Sequence, residues 1–161
     1  MTNFPALNIL RFIRGLALYV FIGLLIGVAW AQIAPRAECY LLDGKCVAMV
    51  DEVTNAYFYA DLIFGAMAFV AGLVLGMRFA RRWWEAGFLF QVLMAATATL
   101  ASFVAMFAGQ WLNPQTSLTA TTAIDALTVR SQAVLLVWAF TQQLVVVYIG
   151  NKQVSQYVDN L

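Results

Sequence analysis

Residues Gly15 to Ile33 read GLALYVFIGLLIGVAWAQI, a stretch of 19 residues without a charged side chain. As an α-helix with a rise of about 1.5 Å per residue it is roughly 28 Å long, which matches the hydrocarbon core of a bilayer. A cleaved signal peptide competes with this interpretation, because Ala29-Trp30-Ala31 fits a cleavage site. We interpret the stretch as an uncleaved first membrane span.

The composition extends this prediction to the whole chain. Of its 161 residues, 63% are hydrophobic and 11% are charged, whereas about 25% of residues are charged in an average soluble domain. The sequence therefore predicts an all-α fold, a four-transmembrane-helix bundle that forms one domain over residues 1–161. The predicted spans are about 15–33, 57–77, 86–108 and 131–150.

The distribution of Lys and Arg between the short loops predicts the orientation of the bundle. Six cations lie on the side of the chain termini, and these are Arg11, Arg14, Arg78, Arg81, Arg82 and Lys152. Three lie on the other side, and these are Arg36, Lys45 and Arg130. Both termini are therefore predicted to be cytoplasmic. Arg78, Arg81 and Arg82 would also suit anionic lipid headgroups, although the topology signal alone accounts for them.

Both cysteines of the chain lie in the first loop, on the predicted outer side of the membrane. Cys39 and Cys46 flank Asp43-Gly44, and Asp-Gly is a strong turn signal in β-hairpins. Disulfides persist in oxidising compartments, so the pattern predicts a hairpin stapled by a disulfide bond. The alternative is a redox pair. It is disfavoured because a spacer of six residues lacks the thiol activation of Cys-x-x-Cys.

Several chemistries are excluded by composition. The chain has no histidine, which removes imidazole as a general base or as a haem or zinc ligand. Two cysteines alone cannot complete a tetrahedral thiolate zinc site. A net charge of +1 provides no footprint for nucleic acid. We therefore predict no cofactor, no metal, no nucleic-acid partner and no enzymatic activity.

Few polar residues lie inside the predicted spans. Asp61 could belong to a proton or ion path, but we favour a carboxylate that reaches headgroup water or pairs with Arg36 or Arg130. Gln91 of span three lies at the same predicted depth as Gln142 and Gln143 of span four. An amide–amide hydrogen bond would set the register of these two helices.

Small residues recur at helical spacing in the first two spans. Gly23-x-x-x-Gly27 and Gly72-x-x-x-Gly76 are both typical of close helix packing in membranes. Packing within the bundle accounts for one such face, and a second face would indicate a partner. The threonine-rich segment from Leu118 to Arg130 predicts a short interfacial helix capped by Thr116 or Ser117.

The order of these features resembles the small four-helix membrane proteins of actinobacteria that are classed as a domain of unknown function. The features that carry the resemblance are Gly23 to Trp30 running into Ala34-Pro35, Leu42-Asp43-Gly44, Asp51-Glu52, and Tyr59-x-Asp61 before the glycine-rich second span. The resemblance implies fold and topology only. It implies no activity, and the cysteine pair departs from it. We expect a multi-pass protein of the plasma (inner) membrane of an actinobacterium.

Three functions compete at this point. The first is a non-catalytic accessory or scaffold subunit of a larger membrane complex, with other integral-membrane subunits and membrane lipids as partners. Respiratory supercomplexes and envelope-synthesis assemblies are typical complexes of this kind. The second is a small transporter or lipid-handling protein that uses Asp61 and the intramembrane glutamines. The third is a redox enzyme that works through Cys39 and Cys46.

Overall fold

Four long helices dominate the computed structural model, which describes residues 9–36, 38–42, 45–48, 50–83, 88–112, 116–117, 122–124, 129 and 131–158. The helices are α1 (Ile9–Ile33), α2 (Val50–Trp83), α3 (Phe88–Leu112) and α4 (Val137–Val158), and a 3-10 helix at Gln132–Leu136 leads into α4.

All four helices are long and apolar enough to cross a membrane. Their candidate spans are Ile13–Ile33, Asn55–Arg81, Phe90–Leu112 and Gln132–Gln153, which confirms the prediction of four membrane-spanning helices. The third span lies four residues further along the chain than predicted. The second span is longer than predicted at both ends, because α2 continues beyond its apolar centre, through Asn55 and Ala56 at one end and through Arg78 and Arg81 at the other. The chain is thus a multi-pass membrane protein by the length and composition of its helices.

A small antiparallel sheet lies at one end of the bundle, which we name the sheet end. Its strands are β1 (Glu38–Leu42), β2 (Lys45–Ala48), β3 (Thr116–Ser117) and β4 (Thr122–Ile124), in the order β2-β1-β4-β3. The first two strands are those of the predicted hairpin, whose Asp43-Gly44 turn lies outside the described residues. Since β1 also pairs with β4, the loops after α1 and after α3 form one sheet. The opposite end is the terminal end.

The second loop differs from its prediction. The prediction of an interfacial helix between Leu118 and Arg130 is wrong where the structure describes this segment. Thr122–Ile124 is a strand, and Thr116–Ser117 pairs with it. β-Branched threonine fits a pleated strand well. Pairing with β1 supplies the backbone hydrogen bonds that an isolated short helix would have to make alone.

The helices associate as two parallel pairs, α1 with α3 and α2 with α4. Glycine makes the close approach possible in both pairs. A Cβ atom added at Gly23 would lie 2.6 Å from the carbonyl oxygen of Ala101, and one added at Gly72 would lie 2.8 Å from that of Trp138. Helix backbones are thus in direct contact, as in other membrane helix pairs built on small residues.

The second glycine of each motif lies in the same contact. Gly27 packs against the backbone of Ala105, and Gly76 packs against Gln142 and Val145. Both glycine motifs of the sequence therefore lie inside the bundle, where they serve its own helix pairs.

Aromatic side chains fill the core at two levels. Nearer the terminal end, Tyr19 stacks on Trp138 with ring centroids 5.8 Å apart. Nearer the sheet end, Trp30 meets the ring of Phe64 edge-on at 5.2 Å and donates a hydrogen bond from Nε1 to the carbonyl oxygen of Ala60 at 2.9 Å. These contacts connect α1 to α4 at one level and to α2 at the other.

Replacement of Gly23 by alanine tests the contact between α1 and α3. The added methyl group meets a backbone oxygen that cannot move independently of its helix. We expect Gly23→Ala to lower the free energy of unfolding by about 1–3 kcal/mol, measured by denaturant titration in detergent micelles. Gly15→Ala is the matched control, because a Cβ there has no atom within 4 Å. Equal stability of the two variants would contradict the contact.

Candidate functional site

A hydrogen bond between two buried side chains lies at the centre of the bundle. The hydroxyl of Tyr19 on α1 donates to Oε1 of Gln142 on α4 at 2.8 Å, and both residues are fully buried. Gln142 reaches the centre because Gly76 of α2 allows the α4 backbone to approach closely. The hydrogen bond thus connects the α1–α3 pair to the α2–α4 pair, within the candidate membrane spans of α1 and α4.

Two polar atoms beside this hydrogen bond have no partner within the described part of the chain. They are Nε2 of Gln142 and Nε1 of Trp138, one helical turn apart on α4. The two ends of an amide are interchangeable in placement, but in either orientation one end of the Gln142 amide pairs with Tyr19 and the other does not. A buried polar group without a partner costs free energy, so this site is polar and incompletely satisfied.

The other two predicted glutamines meet next to Gln142. Nε2 of Gln143 donates to the backbone carbonyl oxygen of Gln91 at 3.1 Å. The predicted amide–amide hydrogen bond is therefore wrong in detail: Gln143 bonds to the main chain of α3, and Gln142 bonds to Tyr19. The prediction that these glutamines lie at one level is consistent with both contacts.

A narrow cleft between α2, α3 and α4 runs past the three glutamines, and its volume of about 10 Å³ is about that needed by a single water molecule. The other residues that line it are Phe79, Ala80, Phe90, Met94 and Val146. A water molecule there would have amide groups beside it to bind. Chemically, the arrangement can bind one small hydrogen-bonding group, and its amides carry no charge for acid–base work.

Asp61 lies at the sheet end of α2 and is buried, with 8% of its surface exposed. Its Oδ2 accepts a hydrogen bond from the backbone N–H of Ser131 at 2.8 Å. Ser131 precedes the 3-10 helix that leads into α4, so the carboxylate satisfies an amide at the start of that helix. Arg130, one of its predicted partners, lies outside the described residues.

Asp61 and the glutamines do not form one site. Gln142 packs against Gly76, which follows Asp61 by 15 positions on the same helix. At about 1.5 Å per residue these levels are roughly 22 Å apart. The transporter hypothesis requires a continuous polar lining from Asp61 to the glutamines. The separation of these two levels does not support such a lining.

In the register of β1 and β2, the two cysteines do not lie directly opposite each other. Cys39 lies opposite Ala48, and Cys46 lies opposite Leu41, so the cysteines occupy diagonal positions of the hairpin. Diagonal neighbours are about 7–8 Å apart, whereas Cα atoms joined by a disulfide are usually about 4.4–6.8 Å apart. The disulfide stays a prediction, and in this register it requires the strands to shift.

Arg78 and Arg81 are exposed at the terminal end of α2, and the side chain of Arg82 lies outside the described part. Tyr19 and Trp138 were missed by sequence reasoning. For Tyr19 a signal was available, because a tyrosine hydroxyl that is buried inside a span usually finds a hydrogen-bond partner.

Among the described residues, no group of three or more Asp, Glu, Cys or His side chains lies together as a metal site would require. Comparison of the chain with protein-family models, with curated proteins and with solved structures gives no match.

A double-mutant cycle tests the hydrogen bond between Tyr19 and Gln142. Tyr19→Phe removes the hydroxyl and leaves the Gln142 amide buried, so we expect a loss of about 1–2 kcal/mol in the free energy of unfolding. In a Gln142→Leu background the same change should cost clearly less, because no amide remains to be satisfied. Unfolding in detergent micelles provides the measurement.

Tyr148→Phe is the control for this cycle, since Tyr148 is exposed on the outer face of α4. It should change stability little in either background. An equal loss from Tyr19→Phe with and without Gln142 would show that the two side chains are not coupled.

Proposed function

We propose that the protein is a non-catalytic integral-membrane accessory or scaffold subunit of a larger membrane complex. A respiratory supercomplex or an envelope-synthesis assembly is the type of complex that we consider. The observation that carries this proposal is the sheet at the sheet end, which joins the loops after α1 and α3 into one platform.

The platform offers two strand edges. In the sheet order β2-β1-β4-β3, β2 and β3 are the outer strands of the described sheet. Outer strands present backbone N–H and C=O groups that can pair with another chain. A partner that adds a strand there gains backbone hydrogen bonds without a pocket or a cofactor.

The polar groups inside the bundle favour a structural role over transport. Tyr19 bonds to Gln142, Gln143 bonds to the α3 backbone, and Asp61 bonds to the amide at the start of the 3-10 helix. Each of these bonds joins two segments that are distant in the sequence. They hold helices in register, which is what a rigid docking platform requires.

The helix contacts support a docking surface at the sheet. Both glycine motifs are used between helices of this chain, and we therefore propose the sheet as the surface for a partner. In the orientation predicted from Lys and Arg, the platform lies outside the cytoplasm and both termini lie inside. The membrane that we propose for it is the plasma membrane of an actinobacterium.

Site-specific photo-crosslinking in native membranes tests the proposal. A photoreactive amino acid at Val47 of β2 or Ser117 of β3 should give an adduct with one partner subunit, at a fixed stoichiometry in mild detergent. The same group at Phe140, which is exposed on α4, is the control and should give no protein adduct. A monodisperse monomer without adducts from either strand would contradict the proposed function.

A further inference from the structure

A wide apolar groove separates α1 from α2 within the membrane. It exists because α1 packs on α3 and α2 packs on α4, which leaves few contacts between α1 and α2. The groove has a volume of about 570 Å³ and opens sideways toward the bilayer. Its walls are formed by Ile22, Leu25, Ile26 and Ala29 of α1, and by Ala66, Met67, Val70, Ala71, Val74 and Leu75 of α2.

Both walls of this groove lead to arginines at the terminal end. Arg14 precedes Leu25 by eleven residues on α1, and Arg78 follows Met67 by eleven residues on α2. Eleven residues are close to three helical turns, so each arginine lies on the same face as its groove residue. Arg81 bears the same relation to Val70. All three arginines are exposed.

The sequence makes the terminal end cationic. Six Lys and Arg residues lie at this end against two acidic residues, Glu85 and Asp159. The groove therefore has an apolar body within the membrane and a cationic mouth at the level of the lipid headgroups. This is the complement of an anionic amphiphile.

From this geometry we infer that the groove is a binding site for one anionic phospholipid. An acyl chain lies between α1 and α2, and the phosphate interacts with Arg14, Arg78 and Arg81. The site belongs to the leaflet at the terminal end and does not depend on the proposed function. A partner's helix fits the groove less well, because close helix contacts in membranes use small residues. Seven of the ten wall residues are larger than alanine, among them Ile22, Leu25 and Val70.

The cationic mouth is tested by counting lipids retained on the full-length protein. The protein is reconstituted in phosphatidylcholine vesicles that contain phosphatidylglycerol, and native mass spectrometry compares the two lipids after release in mild detergent. We expect phosphatidylglycerol to be retained selectively. Each of Arg14→Gln, Arg78→Gln and Arg81→Gln should reduce that selectivity about fivefold. Lys152→Gln removes a charge at the same end on α4 and should leave it unchanged, and Arg78→Lys should preserve most of it.

The apolar body is tested by filling the groove. Ala66→Trp places a large side chain in it and should abolish selective retention, whereas Ala96→Trp on the exposed face of α3 should not. Circular dichroism confirms that both variants retain their helices.

Three results would overturn the inference. They are equal retention of the two lipids by the unaltered protein, an effect of Lys152→Gln as large as that of the three arginine variants, or unchanged lipid retention in Ala66→Trp. If Ala66→Trp instead loses a bound partner protein and leaves lipid retention unchanged, the groove is a site for a helix of that partner.

Discussion

Backbone contact at glycine determines how the bundle is assembled. In the bilayer no hydrophobic effect draws helices together, so association depends on packing and hydrogen bonds. Gly23 and Gly27 bring α1 onto α3, while Gly72 and Gly76 bring α2 onto α4. Two tight parallel pairs result. The looser boundary between them leaves the groove between α1 and α2 open to the bilayer.

The two pairs are connected by a few specific contacts at different depths. The Tyr19–Gln142 hydrogen bond and the stacking of Tyr19 on Trp138 connect them nearer the terminal end. Trp30 connects α1 to α2 nearer the sheet end through Ala60 and Phe64. Outside the helices, pairing of β1 with β4 joins the loop from α1 to α2 with the loop from α3 to α4, so two of the chain connections between the pairs meet in one sheet. The hydrogen bonds of Tyr19 and Trp30 satisfy polar groups that would otherwise be costly in a dry environment.

The sequence was most informative where the physics is local. Hydropathy over about 20 residues predicts each membrane span, and Asp43-Gly44 between two short apolar runs predicts the hairpin. Contacts between segments that are distant in the sequence were harder to predict. The sequence of the second loop predicts a helix instead of the observed strand. The strand depends on pairing with β1, which brings together residues more than 80 positions apart. The spacing of Gln91 and Gln143 predicted a common level but gave no sign that the bond involves the main chain.

The candidate site was likewise only partly accessible to sequence reasoning. Glutamines inside spans are rare enough to be noticed, yet the partner of Gln142 is a tyrosine on the first helix, 123 positions away. The register of Cys39 and Cys46 depends on pairing across the hairpin, which residue counting alone does not determine. Glycine motifs indicated close packing, but only the helix arrangement assigns α3 to α1 and α4 to α2.

The most direct measurement is the distance between the α1 and α3 backbones in a lipid bilayer. Solid-state NMR on protein labelled with ¹³C at glycine Cα and at alanine carbonyl carbons can detect it without any substitution. Backbone contact predicts a strong dipolar coupling between Gly23 and Ala101, which are distant in the sequence. The absence of this coupling, with Gly23 instead close to residues of α2, would contradict the two-pair architecture.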